Sequence, residues 1–117
     1  MLFRKRRPDR PRRRIRKLRL FAALVVLGVL GSAAFTLGRE LLEHLGRPVE
    51  AAEAFATAGE LALDSVLAQD ALAREVECWS KAGRAEEAYQ RALRFDQRYP
   101  NSHRTRMVQL FGGLASE

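Results

Sequence analysis

The chain has 117 residues, 21 Lys and Arg against 14 Asp and Glu, a net charge of +7 and a single cysteine. That length allows one small domain beside a crossing segment, and one cysteine excludes an internal disulfide. His44 and His103 lie far apart without metal-ligand spacing, and neither a phosphate-cradling glycine loop nor a nucleophile–base pattern is present, so the sequence points to neither an enzyme nor a bound cofactor.

The first element is a basic arm, residues 1–17. Counted through Arg19, the amino end carries eleven Lys/Arg and one Asp, a balance of +10. Residues 39–117 carry ten basic and thirteen acidic side chains, a balance of −3, and with the uncharged middle these sum to +7. Pro8, Pro11 and the dense charge predict disorder before Ile15. Basic flanks stay on the cytoplasmic side of a membrane. Each basic residue near an anionic lipid surface contributes about 1 kcal/mol. Because the arm abuts an apolar run, anionic lipid is its expected partner and nucleic acid is not.

Residues 18–38 read as a transmembrane signal anchor. Leu20–Gly38 is 19 residues without a charge; as a helix it spans roughly 28 Å, close to the ~30 Å of a hydrocarbon core. The amino end is expected in the cytoplasm, the span in the cytoplasmic (inner) membrane, and the rest in the periplasm or outside the cell. A second reading is a signal peptide cleaved after Ala34, since Ser32-Ala33-Ala34 offers small residues to a peptidase. The apolar run continues through Phe35, Thr36 and Leu37, longer than a usual signal core of about 7–15 residues. Gly28, Ser32 and Thr36 form a small-residue stripe that permits close helix packing. It opens a further alternative, an accessory subunit held in a larger membrane complex through its crossing.

Past the membrane, residues 39–117, apolar residues recur at helical spacing. Arg39 to Leu45 continues the crossing helix; Gly46 ends it and Pro48 suits the first turn of the next. A helix is predicted from Val49 to about Leu63, with a break at Asp64-Ser65, where Asp can cap. The next runs from Leu67 to Ala82, ended by Gly83, and another from Ala85 to Tyr99, ended by Pro100. Asn101-Ser102 is expected to cap a last helix, to about Leu110. Cys78 is expected to be buried, and both histidines exposed. Phe55, Trp79, Tyr89 and Phe95 are expected to fill space between helices.

Gly46-Arg47-Pro48-Val49-Glu50-Ala51 matches Gly83-Arg84-Ala85-Glu86-Glu87-Ala88, a recurrence at a spacing of 37. A glycine turn repeated at such a period marks helical-hairpin repeats. Ala51, Phe55 and Ala58 carry the small–aromatic–small pattern of a second helix. Ala88, Ala92 and Phe95 carry the same types with the last two exchanged. Leu72 and Trp79 stand at first-helix apolar positions, Gly83 at the turn, and Pro100 twelve residues after Ala88.

In these residues the chain resembles the tetratricopeptide repeat (TPR) family, of a membrane-anchored bacterial type. It departs where Val76 replaces a small residue, Glu75 an apolar one, and Leu63 the closing proline of the first unit. The resemblance implies an all-α fold: one transmembrane helix, then a short helical-hairpin solenoid of about one and a half to two repeats plus a capping helix. The first unit's first helix would be Phe35 to Leu45, the end of the membrane helix itself. The implied work is protein–protein scaffolding in a cell-envelope complex, through a groove lined by Asp70, Ala73, Glu77, Ser80 and Lys81. Residues 39–77 balance to −6 and residues 78–117 to +3. That asymmetry leaves self-association, head to tail, beside binding of a separate protein partner.

Overall fold

The computed structural model describes residues 10–114, and five α-helices account for nearly all of them, with no strand. Helix α1 (Arg10–Glu43) is a single helix of 34 residues that runs through the apolar segment without a break. Its first turns are helical where disorder was expected before Ile15, because arginine is a good helix former; residues 1–9 of the basic arm lie outside the described residues. From Leu20 to Leu30 the large apolar side chains of α1 are solvent-exposed. That is the inverse of a soluble core helix, and α1 is long and apolar enough to cross a membrane.

The chain then folds back. The turn after α1 places Gly46 at φ +63°, and the amide of Arg47 donates to the carbonyl of Leu41 at 2.8 Å. The turn after α3 places its glycine thirty-seven residues on, with Gly83 at φ +76°, and there the amide of Arg84 donates to the carbonyl of Trp79 at 2.9 Å, a turn one residue tighter than the first. Side-chain-bearing residues rarely adopt that backbone region, which accounts for glycine at both turns. Helix α2 (Pro48–Leu61) begins on proline. Helix α3 (Ser65–Lys81) is capped by Asp64, whose carboxylate accepts the Val66 amide at 2.8 Å. Helix α4 (Ala85–Arg98) ends just before Pro100.

Helix α5 (Thr105–Gly112) starts later than expected. Asn101 and Ser102 lie in the preceding turn, where the Ser102 hydroxyl accepts the Arg104 amide at 3.1 Å. The side chain caps a turn rather than the helix.

Each helix packs on the next in the chain, and α3 also packs on α5. The α1–α2 pair is antiparallel: a methyl at Gly31 would lie 3.5 Å from Leu61, and one at Gly38 would lie 3.0 Å from the Phe55 ring. Glycine at these points lets α2 approach closely. Phe35 meets Phe55 edge to face, with ring centroids 5.2 Å apart. The second half of the apolar run is therefore partly covered by protein, while the first half projects freely. This gives an outline 82 Å long and 20 Å thin. One contiguous core runs from Leu41 through Phe55, Val76 and Phe95 to Val108.

Candidate functional site

Helices α1, α3 and α5 share one face. Phe35, Arg39 and Glu43 of α1, Asp70 and Arg74 of α3, and Arg104 and Met107 line a shallow hollow of about 260 Å³. Arg74 ties two helices together: one guanidinium nitrogen, Nη2, donates to Glu43 Oε1 at 2.6 Å and the other, Nη1, to Glu77 Oε1 at 3.0 Å. Lys81 Nζ continues the row to Glu77 Oε2 at 2.7 Å. On the α5 side, Arg104 Nε donates to Asp70 Oδ1 at 2.8 Å, with His103 Nε2 3.8 Å away.

The electrostatics follow from these contacts. The hydrogen bond from Arg74 holds the Glu43 carboxyl below its ordinary range. For Arg74 itself, partial burial opposes the charge. The hydrogen bonds to Glu43 and Glu77 outweigh it and raise the guanidinium above its usual value. Arg74 also lies over the Phe55 ring, 5.7 Å from its centroid, so its stem and head are both held.

Of the five residues expected in a groove, Asp70 lines this hollow, and Glu77 and Lys81 join the ion-paired row beside it. Asp70 and Lys81 present charged ends, Ser80 is half-buried, and Glu77 is largely buried with its carboxylate held by Arg74 and Lys81. Ser80 lines no part of the hollow, and Ala73 is fully buried and belongs to the packed core, not to an exposed groove. Its neighbours on the same helix face, Val76 and Trp79, explain the burial.

Among the residues expected to form the repeat core, Ala51, Phe55, Ala58, Trp79, Ala88, Ala92 and Phe95 are buried and Leu72 is half-buried. Gly83 is the exposed turn residue and Pro100 lies exposed beyond α4. Tyr89, expected between helices, is 40 % exposed. It sits one position after Ala88, on the flank of the face that Ala88, Ala92 and Phe95 bury.

A second hollow, of about 120 Å³, opens between α2, α3 and α4, where Arg91, Arg94 and Arg98 face Glu60 and Glu75. Glu75 is the residue that sequence reasoning registered only as a departure. Its side chain is almost wholly buried, and Oε2 accepts Trp79 Nε1 at 3.0 Å and faces Arg91 Nε at 3.2 Å. Burial pushes the Glu75 carboxyl up, over the opposing pull of the Trp79 hydrogen bond and the Arg91 charge. The signal was present in the spacing: Glu75 stands four residues before Trp79 on one helix, within reach of its indole N–H. Cys78 is buried and its thiol is pushed up to about 12 by that burial, so it is unreactive at neutral pH. Both histidines are exposed. Among the described residues no three His, Cys, Asp or Glu side chains converge on a point where a metal would sit.

The Gly28, Ser32, Thr36 stripe divides. Gly28 lies beside Leu63 of the α2–α3 turn, whereas Ser32 and Thr36 are exposed and the Thr36 hydroxyl donates to the Ser32 carbonyl at 3.0 Å.

The arrangement defines an all-helical chain with one helix of membrane-spanning length and an ion-paired face built from alternate helices. The chain matches no protein-family model, no curated protein and no solved structure.

Proposed function

We propose that the chain is a single-pass membrane protein of TPR-like build. Its amino end lies in the cytoplasm, and α2 to α5 stand on the exported side, in the periplasm or outside the cell. Its work is to scaffold other proteins in a cell-envelope complex. The observation that supports this most is the face shared by α1, α3 and α5, where charged side chains border a hollow floored by Phe35 and Met107. A concave polar face with an apolar floor suits a peptide or helix of another protein. Because α1 runs unbroken from the apolar run into that face, a partner bound there is held at a fixed height above the membrane.

Photo-crosslinking in intact membranes tests the reading. A photoreactive residue at Asp70 or Lys81 should yield a discrete crosslinked product that one at Glu53, on the exposed side of α2, does not. No product from either position on the shared face, or the same products from all three, would refute a partner on that face.

A further inference from the structure

The turn between α2 and α3 sits beside the middle of the apolar run. Leu61 would lie 3.5 Å from a methyl at Gly31, and Leu63 lies 3.7 Å from the corresponding position at Gly28. From Arg19, the last basic residue of the arm, to Gly31 is only twelve residues, roughly 18 Å of helix against ~30 Å of hydrocarbon. Basic side chains on the inner side can reach outward past the hydrocarbon and recover part of the difference. The outer boundary of the hydrocarbon still cannot fall short of Gly31. Nor can it rise far beyond, because Glu60 and Asp64 are exposed charges at the level of the turn. The two limits together put the boundary at the level of the turn, and the remaining shortfall is met by thinning of the bilayer around the helix.

The side chains there suit that depth. Leu63 and Val66 are 59 % and 55 % exposed, on a turn whose Asp64 and Ser65 are exposed as well. The carboxyl end of α4 comes down to the same level, since Arg98 and Tyr99 line a hollow together with Leu63 and Asp64. Arg98 makes no ion pair among the described residues, whereas Arg94, one helical turn away, faces Glu60 and Glu75. Arg98 lies over the Tyr99 ring, 5.4 Å from its centroid. Apolar tips, an unpaired guanidinium and an amphipathic aromatic ring at one level form the combination that an interfacial segment uses.

We infer that this end of the helix stack is seated on the membrane: Leu63 and Val66 enter the boundary between headgroups and acyl chains of a phospholipid bilayer, while Arg98 and Tyr99 meet its phosphate headgroups. The inference rests on the reading of α1 as a membrane crossing. The seat fixes the tilt of the stack and turns the face shared by α1, α3 and α5 to one side of the membrane normal.

Depth-dependent quenching tests it. The full chain is placed, one copy per disc, in nanodiscs of equal parts phosphatidylethanolamine and phosphatidylglycerol. A nitrobenzoxadiazole label is attached to L63C, V66C, L24C or E86C. Cys78 stays unlabelled because it is buried. Nitroxide lipids labelled near the headgroup should extinguish most emission at positions 63 and 66. Nitroxides deep in the acyl chain should do so at 24, and neither should act at 86, which lies at the far end of α4. Reversal of charge at Arg98 should reduce the shallow quenching at 66. Quenching at 24 without quenching at 63 and 66 overturns the seat and leaves the crossing intact. No quenching at 24 overturns the crossing and the seat together. Labels at 63 and 66 that are shielded from water yet untouched by lipid nitroxides also overturn the seat.

Discussion

Phe55→Ala is the sharpest test of the join between α1 and the rest of the fold. Phe55 is 0 % exposed, so the entire side chain is removed from the interior. Its ring is enclosed by Phe35 and Gly38 of α1 and by the Arg74 guanidinium of α3, three contacts from two other helices. The small Ala51, Ala52 and Ala58 that share its helix cannot fill the void. Truncation of a buried Phe costs about 3–5 kcal/mol, a large share of the ~5–15 kcal/mol that holds a typical domain. At about 4 °C or more per kcal/mol for a domain this small, the thermal midpoint of the full chain in mild detergent should fall by at least ~12 °C. Circular dichroism at a helical wavelength follows it. The Phe35–Phe55 edge-to-face contact contributes about 0.5–1.5 kcal/mol of that. The double variant with Phe35→Ala should therefore fall short of the sum of the two singles by a similar amount. A drop of less than ~4 °C for Phe55→Ala would refute the claim that α1 and α2 are joined through this ring.

Glu75→Gln keeps an oxygen for the Trp79 indole and removes a carboxyl whose folded pKa is raised. Such a group stabilises the fold fully below its unfolded value near ~4.3 and loses that contribution as pH rises through the folded value. Denaturant midpoints should thus show the variant gaining on the wild type between about pH 4 and pH 7; a variant that loses ground over that interval would contradict the assignment. Glu43→Gln tests the opposite sign: the Glu43 pKa is lowered by Arg74, so its contribution is present above ~4.3 and disappears as pH falls. The variant's deficit should shrink on acidification in the same assay, and a deficit that grows would exclude the Arg74 contact as its cause. A fragment beginning at residue 39 lacks Phe35 and Gly38 and should show less helix and a lower midpoint than one beginning at residue 31; equal midpoints would mean that α2 does not need α1. For topology, a reporter active only after export should be active when fused after Glu117, and inactivity there, with activity of a cytoplasm-only reporter, would reverse the proposed orientation.

The helix boundaries were legible because their causes are local. Asp64 reaches its own cap amide two residues on, Gly46 and Gly83 hold turns that disfavour side chains, and Pro48 and Pro100 sit where a missing N–H costs little. Burial of Phe55, Trp79 and Phe95 followed from their spacing on single helices. What stayed hidden depends on pairs far apart in the chain. Gly31 and Gly38 look like ordinary residues of an apolar run until Leu61 and Phe55 pack on them. The Arg74–Glu43 bond joins residues 31 positions apart. Ala73 reads equally well as an exposed small residue or as a core one, and only the neighbouring helices decide. Tyr89 shows the limit of reading by residue type: an aromatic one position off the buried stripe faces outward, whatever its hydrophobicity.

The charge asymmetry of the sequence takes on a different meaning in the fold. The acidic excess of residues 39–77 and the basic excess of residues 78–117 were expected to be available for contact between molecules, yet three pairs take up the whole basic excess and half of the acidic one within one chain. Lys81 binds Glu77, Arg91 faces Glu75, and Arg104 binds Asp70. Helix α3 itself straddles the division between the two halves, so the split in sequence is not a split between the ends of the stack. Exposed ion pairs contribute only about 0–1 kcal/mol each, and a head-to-tail contact would have to exchange these internal pairs for intermolecular ones with little gain. Assembly by extension of the stack would instead have to draw on apolar surface of α5, where Leu110 is 68 % exposed beside the buried Val108 and Gly112. Contact through Leu110 would be largely indifferent to salt, whereas contact through the charged halves would weaken as salt rises.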